Sequence, residues 1–412
     1  MKYDSALRER ADKLVEWPVD DWTPAPVQPT ALAVAGSFAG IGGIEEGFRR
    51  AGHHAELLAE NDDAASAVLE GNFPNARLIG DVRQLSEVLR VDVLTAGFPC
   101  QDLSQVGRCA GIDGPNSGLV SHVFELLAKP GCQVRWLVLE NVPFMLKLDR
   151  GRAIALLAAR LEAMGWSWAY RIIDARCFGL PQRRRRVILV ASRDADPRPA
   201  VLGVDAERPA PKKRGQHACG FYWTEGNSGI GWAVDAIPPL KGGSGVSIPS
   251  APAIWFPRRG AIGTPTIEDA ERLQGFEPGW TAAAMGAERG QRRRWRLVGN
   301  AVSAPVAEWV ARRLTDTHSR YDDAGDVPLV DGMKWPDAAW GHDGMRGVSQ
   351  ASDWPERRDQ LHLAGFLNGK ILPLTHKAAA GFWMRLQRSG LRYDADFGDA
   401  LDAHVRRMAE TG

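Results

Sequence analysis

No stretch of the sequence stays apolar for the roughly 18 residues that a membrane-spanning helix requires. Its opening, MKYDSALRERADK, lacks the apolar core of a secretion signal. These two absences predict a cytoplasmic protein with no membrane partner. Cysteine is scarce: there are 5 in 412 residues, and none stands in a Cys-x-x-Cys pair. An odd, scattered set argues against a disulfide framework and against a structural zinc site. His217 and Cys219 make only half of a metal site, with no second pair close by in sequence, so no metal is expected. An excess of charge of either sign is missing as well. Lys and Arg total 51 against 50 Asp and Glu, for a net charge of +1. No global field marks a polyanion partner, and local clusters must decide that question.

What is present begins after a charged N-terminal helix and proline-bearing linker, 1–30. Apolar runs then alternate with amphipathic stretches: ALAVAG, HAELLAE, ARLIG, VDVLTAG, RWLVLE, WAYRIID and RVILVAS, with helical patterns such as 62–71 and 150–164 between them. Strands that alternate with helices predict an α/β fold, with a mainly parallel twisted sheet covered by helices on both faces. The alternation stops near 193. Residues 194–262 are rich in Pro, Gly and basic residues without helical period and read as a small irregular region. Residues 263–318 return to helices. Residues 319–412 form an extension with scattered Trp and a final amphipathic helix.

The first strand runs into GSFAGIGG, a turn whose glycines let a ligand approach the backbone closely. It is neither a phosphate-cradling loop, which needs Gly-Lys-Ser/Thr, nor the GxGxxG pattern, whose last glycine is replaced by Glu45. Glu60 ends the second strand about twenty residues beyond Gly40, the interval at which an acid meets ribose hydroxyls. Asp81 follows the third strand, where a carboxylate can accept a bond from an adenine amino group. Either acid alone reads equally as a loop residue or helix cap. With the glycine turn they sketch a site for an adenosine-bearing ligand without a pyrophosphate, which S-adenosylmethionine satisfies.

Cys100 ends the fourth strand in GFPCQ, and Glu140 and Asn141 end the fifth in LVLENVP. Strand carboxyl ends are where α/β sheets place chemistry. From position alone, Cys100 is as readily a packed thiol as a nucleophile. A long polar loop follows it, 101–118, of the kind that serves as a lid. A thiol, a carboxyl group and a methyl-donor pocket together point to alkylation of an electron-poor ring. Sulfur would add at carbon 6 of a pyrimidine, Glu140 would bond ring nitrogen 3, and carbon 5 would become nucleophilic.

FAGIGG, GFPCQDLS, ENV, QRRRRV, RLQGF and GNAVSAPV, in this order over about 31–315, resemble the motifs of the bacterial-type DNA cytosine-5 methyltransferases. The resemblance implies a Rossmann-like S-adenosylmethionine-dependent methyltransferase fold in which 194–262 recognises the target. It implies that Phe38, Ala39, Gly40, Ile41 and Gly42 line the cofactor, with Glu60 on its ribose and Asp81 on its adenine. Asn61, Gly97, Pro99 and Asn300 would complete that lining. Cys100, Glu140, Arg184 and Arg186 would carry the chemistry. Two positions depart from many members: Ala301 stands where Ser is common, and Asn116 rather than Arg precedes Ser117-Gly118 in the lid.

The implied partner is double-stranded DNA, from which the base must be flipped to be reached. Gln101 and Ser104 in the lid, with Gln182, Arg183 and Arg185, are the expected DNA contacts. Basic runs at 182–186, 212–214 and 289–296 would hold phosphates, although such a run also reads as a solvated face. The extension 319–412 reads either as a further DNA contact or as packing on the catalytic core. A cognate restriction endonuclease, action as a monomer on DNA and nucleoid association complete the expectation. Rival readings are a tRNA cytosine methyltransferase on the same scaffold, a non-catalytic DNA-binding regulator, and transfer of a group larger than methyl.

Overall fold

The structure, a computed structural model, describes residues 31–85, 87–98, 119–227, 229–242, 251–286, 290–368 and 371–410. The expected residues Pro99, Cys100, Gln101 and Ser104 lie outside this set, as does the rest of the lid. The apolar runs of the N-terminal half are strands: β1 (Ala33–Ser37), β2 (His54–Ala59), β3 (Arg77–Ile79), β4 (Val93–Ala96), β5 (Trp136–Asn141), β6 (Ser167–Asp174) and β7 (Arg185–Ser192). The amphipathic stretches are helices: α1 (Gly43–Arg50), α2 (Asp63–Asn72), α3 (Leu119–Ala128) and α4 (Arg152–Ala163). Later in the chain come α5 (Ile267–Leu273), α6 (Gly290–Asn300), α7 (Ala304–Leu314), α8 (His376–Arg388) and α9 (Ala395–Glu410).

Strands β1 to β5 are parallel, with β1 between β2 and β4. From β1 the chain builds outward to β2 and β3, then crosses back to β4 and β5 on the other side. That reversal opens a crevice beyond the carboxyl ends of β1 and β4, the position at which open α/β sheets bind ligands. Strand β7 enters between β5 and β6, antiparallel to both. It therefore brings its amino end, the QRRRR segment, to the edge where β5 ends in Glu140 and Asn141.

The region 194–262 is less irregular than its composition implies. It supplies β8 (Cys219–Phe221), β9 (Ala233–Val234), β10 (Ala253–Phe256) and the start of β11 (Ala261–Thr264). Runs this short cannot display the alternation by which a strand is read. The extension 319–412 is divided between two sheets. Strands β12 (Val327–Pro328), β13 (Ala338–His342) and β14 (Met345–Val348) continue the main sheet beyond β6. Strand β15 (Leu372–Pro373) closes the second sheet, in the order β15-β11-β10-β8-β9.

The tryptophans of the extension are largely absorbed by this packing. Trp340 and Trp354 are buried, and Trp335 lies against Trp168 and Tyr170 at ring distances of 5.9 and 6.2 Å. On the second sheet, Cys219, Phe221 and Trp255 share one core with Phe382 and Leu386 of α8 and Phe397 and Leu401 of α9. Phe397 meets the rings of Phe221, Trp232 and Trp255 at 5.0 to 5.5 Å. A chain ending at residue 318 would uncover this core and strip the outer strands of the main sheet. A single truncation tests the packing more cleanly. Phe397→Ala should cost about 3–5 kcal/mol in chemical denaturation, the range for emptying a buried aromatic site, and a cost below about 1 kcal/mol would contradict the shared core.

Candidate active site

The turn after β1 is held in a conformation that side chains resist. Phe38, at φ 58°, and Gly40 and Gly42, at φ 57° and 80°, are all left-handed; for Phe38 this is strained backbone. The neighbours hold the turn in place. The Gly40 amide donates to Glu60 Oε2 at 2.7 Å, and the Gly42 amide donates to the Ala39 carbonyl at 2.8 Å. Trp280 donates its indole N–H to the Ile41 carbonyl at 2.9 Å. A Cβ on Gly42 would strike the Phe73 ring at 2.3 Å, whereas a Cβ on Gly40 would meet nothing within 4 Å. The first glycine answers to packing. The second faces open space.

That space belongs to a cavity of about 720 Å³. Phe38, Ala39, Gly40, Ile41, Glu60, Asn61, Gly97 and Asn300 line it, so most of the expected cofactor residues meet in one place. Gly42 is not among the lining residues; its place is under Phe73. Glu60 spans the turn, since its other oxygen accepts the Asp62 amide at 2.8 Å. Asp81 lies in an adjoining cleft of about 180 Å³ that shares Phe38, Glu60 and Asn61 with the main cavity. Arg83 bonds the Asp81 carboxylate at 2.6 Å and holds its pKa below the usual carboxylate range.

The same cavity receives Glu140, Arg184 and Arg186. In the β4–β5 register Ala96 pairs with Leu139, which brings Gly97 and Glu140 level with each other. Glu140 Oε1 is fixed by Arg186 Nε at 2.8 Å, while Oε2 lies 3.9 Å from the Cβ position of Gly97. Asn141 donates its side-chain amide to the Phe98 carbonyl at 2.9 Å and so ties the end of β4 to the end of β5.

The two arginines differ in use. Arg184 is enclosed and donates to the carbonyls of Leu240, Gly299 and Ala301 at 2.9, 3.3 and 2.7 Å. It pins the walls, and Arg186 holds the acid.

The expected DNA contacts at 182, 183 and 185 do not gather. Gln182 is fully buried, accepts the Leu240 amide and donates to the Leu273 carbonyl, each at 2.8 Å. Its side chain is spent inside the protein and has no access to a phosphate. Arg185 pairs with Asp337 and Asp353 at 2.7 and 3.0 Å. Arg183 donates to the Gly231 carbonyl at 3.3 Å on the surface. His217 does find partners, drawn from distant chain: its ring stacks on His362 at 4.9 Å, beside Asp235. The Asp235 carboxylate already accepts from Lys212, from His362 at 2.7 Å and from the Leu363 amide at 2.9 Å. The cluster ties 212–237 to the C-terminal extension.

Glu45, seen in the sequence only as the residue that spoils GxGxxG, is a site residue that pattern reading missed. It lines the cavity yet is 1% exposed. Thr95 donates to its Oε1 at 2.9 Å, and its Oε2 is buried with no partner among the described residues. Gly36 leaves the room, since a Cβ there would lie 2.3 Å from Oε1. An acid one turn into a helix reads as exposed, and only the small residue opposite it on β1 hints otherwise. Burial pushes its pKa up to about 7. Between pH 4.5 and 7 the folded state thus binds a proton that the unfolded state has released, so stability falls as pH rises through this window. Glu45→Gln should therefore match the parent's thermal stability near pH 5. At pH 8, without ligands, it should be the more stable by on the order of 2–3 kcal/mol. Equal stability at both pH values would remove the buried-acid assignment.

A model of the family described as C-5 cytosine-specific DNA methylase matches residues 33–218. The chain is 43% identical over 381 residues to Type II methyltransferase M2.BsuMI of Bacillus subtilis (strain 168), covering 90% of this chain and 97% of that protein. Type II methyltransferase M.DsaV of Dactylococcopsis salina is 28% identical over 314 residues, 67% of this chain and 84% of its own length. Type II methyltransferase M.BsuFI of Bacillus subtilis is 36% identical over 155 residues, 37% of each chain. The chain belongs to the C-5 cytosine-specific DNA methylases, which transfer a methyl group from S-adenosylmethionine to carbon 5 of cytosine in DNA.

Proposed function

We propose that the protein modifies a cytosine flipped out of duplex DNA, with Cys100 as nucleophile and Glu140 as acid, as the modification enzyme of a restriction system. One observation carries the residue roles: Glu140, oriented by Arg186, lines the same cavity as the glycine turn and Glu60. The name of the 43%-identical relative, a Type II methyltransferase, supports the restriction-system reading, and a cognate endonuclease is proposed with it.

The lining fits S-adenosylmethionine, which supplies an electrophilic methyl group when bound. Gly40 leaves its Cβ space open. Glu60 keeps lone pairs free beyond its two backbone bonds and can accept hydroxyl donors. The side cleft presents Asp81 to an amino group.

In the reaction the Cys100 thiolate adds to carbon 6 of the flipped base. The electron pair of the carbon 5–carbon 6 double bond shifts to between carbons 4 and 5, and the pair of the carbon 4–nitrogen 3 double bond moves onto nitrogen 3, where Glu140 donates its proton. With Oε1 held by Arg186, Oε2 is the oxygen left for the base, on the side of the strand that leads to Cys100. Carbon 5 would then take the methyl group as the donor's methyl–sulfur bond breaks to leave S-adenosylhomocysteine, and the Glu140 carboxylate would take back the nitrogen 3 proton. Loss of the carbon 5 proton to solvent expels the thiolate, and the freed electron pair re-forms the carbon 5–carbon 6 double bond.

Phosphate contacts are assigned to Arg183, to the exposed Lys213 and Arg214, and to the exposed Arg292 and Arg296 of α6. Arg294 of the same run is buried against Glu271 at 3.0 Å and is excluded. The enzyme acts as a monomer on DNA.

Methylome sequencing of cells expressing the chain identifies the target sequence. Duplex DNA carrying 5-fluorocytosine at that target should then form a covalent complex in the presence of the methyl donor. Cys100→Ser should abolish the complex, and an adduct with the Ser variant would overturn the nucleophile. Glu140→Gln should slow adduct formation by about 10²–10⁴-fold, the range for a general acid, while binding the methyl donor as the parent does.

A further inference from the structure

The catalytic roles proposed above leave Glu45 unused. It is the third residue of α1, and Thr95 of β4 orients its carboxyl group by one hydrogen bond to Oε1. Burying a carboxyl oxygen without a partner is costly, and such oxygens are rare unless something absent from the protein itself supplies the donor. Glu45 Oε2 is such an oxygen, and its residue lines the cofactor cavity. The neighbouring end of α1 adds a second element: its N-cap is Gly42, which has no side chain to bond the first amides of the helix. Those amides and the positive helix end favour a carboxylate. An unpartnered carboxyl oxygen next to an uncapped helix start is complementary to an α-amino acid zwitterion, one group for each charge.

We propose that Glu45 accepts the α-ammonium group of the methionine moiety of the bound methyl donor and of its demethylated product. The inference rests on the cofactor reading of this cavity. The geometry selects Glu45 over the other acids that line it. Glu60 serves two backbone amides and is assigned to the ribose hydroxyls, Glu140 is held by Arg186 and is assigned to the base, and Asp62 caps α2 through the amides of Ala64 and Ala65. The lining cations Arg184, Arg186, Lys241 and Arg296 bear on the same cavity, yet none forms an ion pair with Glu45 among the described residues.

Burial keeps the carboxyl proton on Glu45 up to about pH 7 in the free protein. An arriving ammonium would favour its release, because an opposite charge at hydrogen-bond distance stabilises the anion. Glu45→Gln keeps the shape and the bond to Thr95 while removing the negative charge.

The test is calorimetric titration of the full-length protein at pH 7.5 with three ligands. These are S-adenosylmethionine, S-adenosylhomocysteine, which keeps the ammonium but lacks the sulfonium charge, and methylthioadenosine, which lacks the whole amino acid end. Glu45→Gln should weaken the first two by about tenfold or more, as expected for losing one charged hydrogen bond, and leave methylthioadenosine unchanged. Unchanged binding of all three overturns the proposal. Equal weakening of all three also overturns it, since Glu45 would then only shape the pocket. Weakening of S-adenosylmethionine alone overturns it in favour of a contact to the sulfonium. A parent protein that binds neither adenosyl amino acid would instead overturn the cofactor reading on which the proposal rests.

Discussion

A buried guanidinium without a carboxylate of its own holds the cavity together. Arg184 is among the largest fully buried side chains, and no ion pair is formed by it among the described residues. Removing such a charge from water is expensive. The compensation comes from three carbonyl oxygens, of which Gly299 and Ala301 stand at the carboxyl end of α6. The negative end of a helix dipole thus serves as the counter-charge. Arginine suits this position because its planar fork reaches several acceptors at once. Lysine would bring one point charge and fewer fixed directions. Through this group β7, the 239–242 segment and the end of α6 form one wall. Gln182 repeats the device with neutral bonds to Leu240 and Leu273.

Close backbone contact makes the same wall possible. A Cβ on Gly299 would lie 2.1 Å from the Lys241 carbonyl, and one on Gly242 would lie 2.0 Å from the Asn300 side chain. The two glycines let the returning helix and the crossing segment touch, and Asn300 reaches the cavity from that junction. The acid is then set by a second pin, Arg186, whose side chain lines the same cavity as that of Arg184. The intervening Arg183 and Arg185 meet other partners.

Much of this was legible in the sequence, and the limits have physical causes. Most of the apolar runs were readable because β1 and β4 to β7 are buried along nearly their whole length and are largely apolar. The meeting of Glu60, Asn61, Gly97, Glu140 and Asn300 followed from strand ends and motif order. The division of labour between Arg184 and Arg186 was not readable, because it depends on carbonyls at 240, 299 and 301 that lie far from Arg184 in sequence. Gln182 sits in a basic run and reads as exposed, yet tertiary contacts bury it. Glu45 breaks a familiar pattern and looks like a surface acid, and the space that admits it is made by Gly36 on another element. His217 lacked partners only within sequence reach, since His362 arrives from 145 positions further along the chain.

The second sheet has a consequence for how the segment 194–262 can be exchanged between relatives. Its apolar face is built from two stretches far apart in sequence, with Phe221 and Trp255 from one and Phe382 and Phe397 from the other. The segment 194–262 is therefore not a self-contained cassette. Transplanted into a relative without α8 and α9, it would leave its aromatic side chains facing water. Moving the segment to another scaffold means moving both stretches as a matched pair, and inherited changes on one side of that face are constrained by the other.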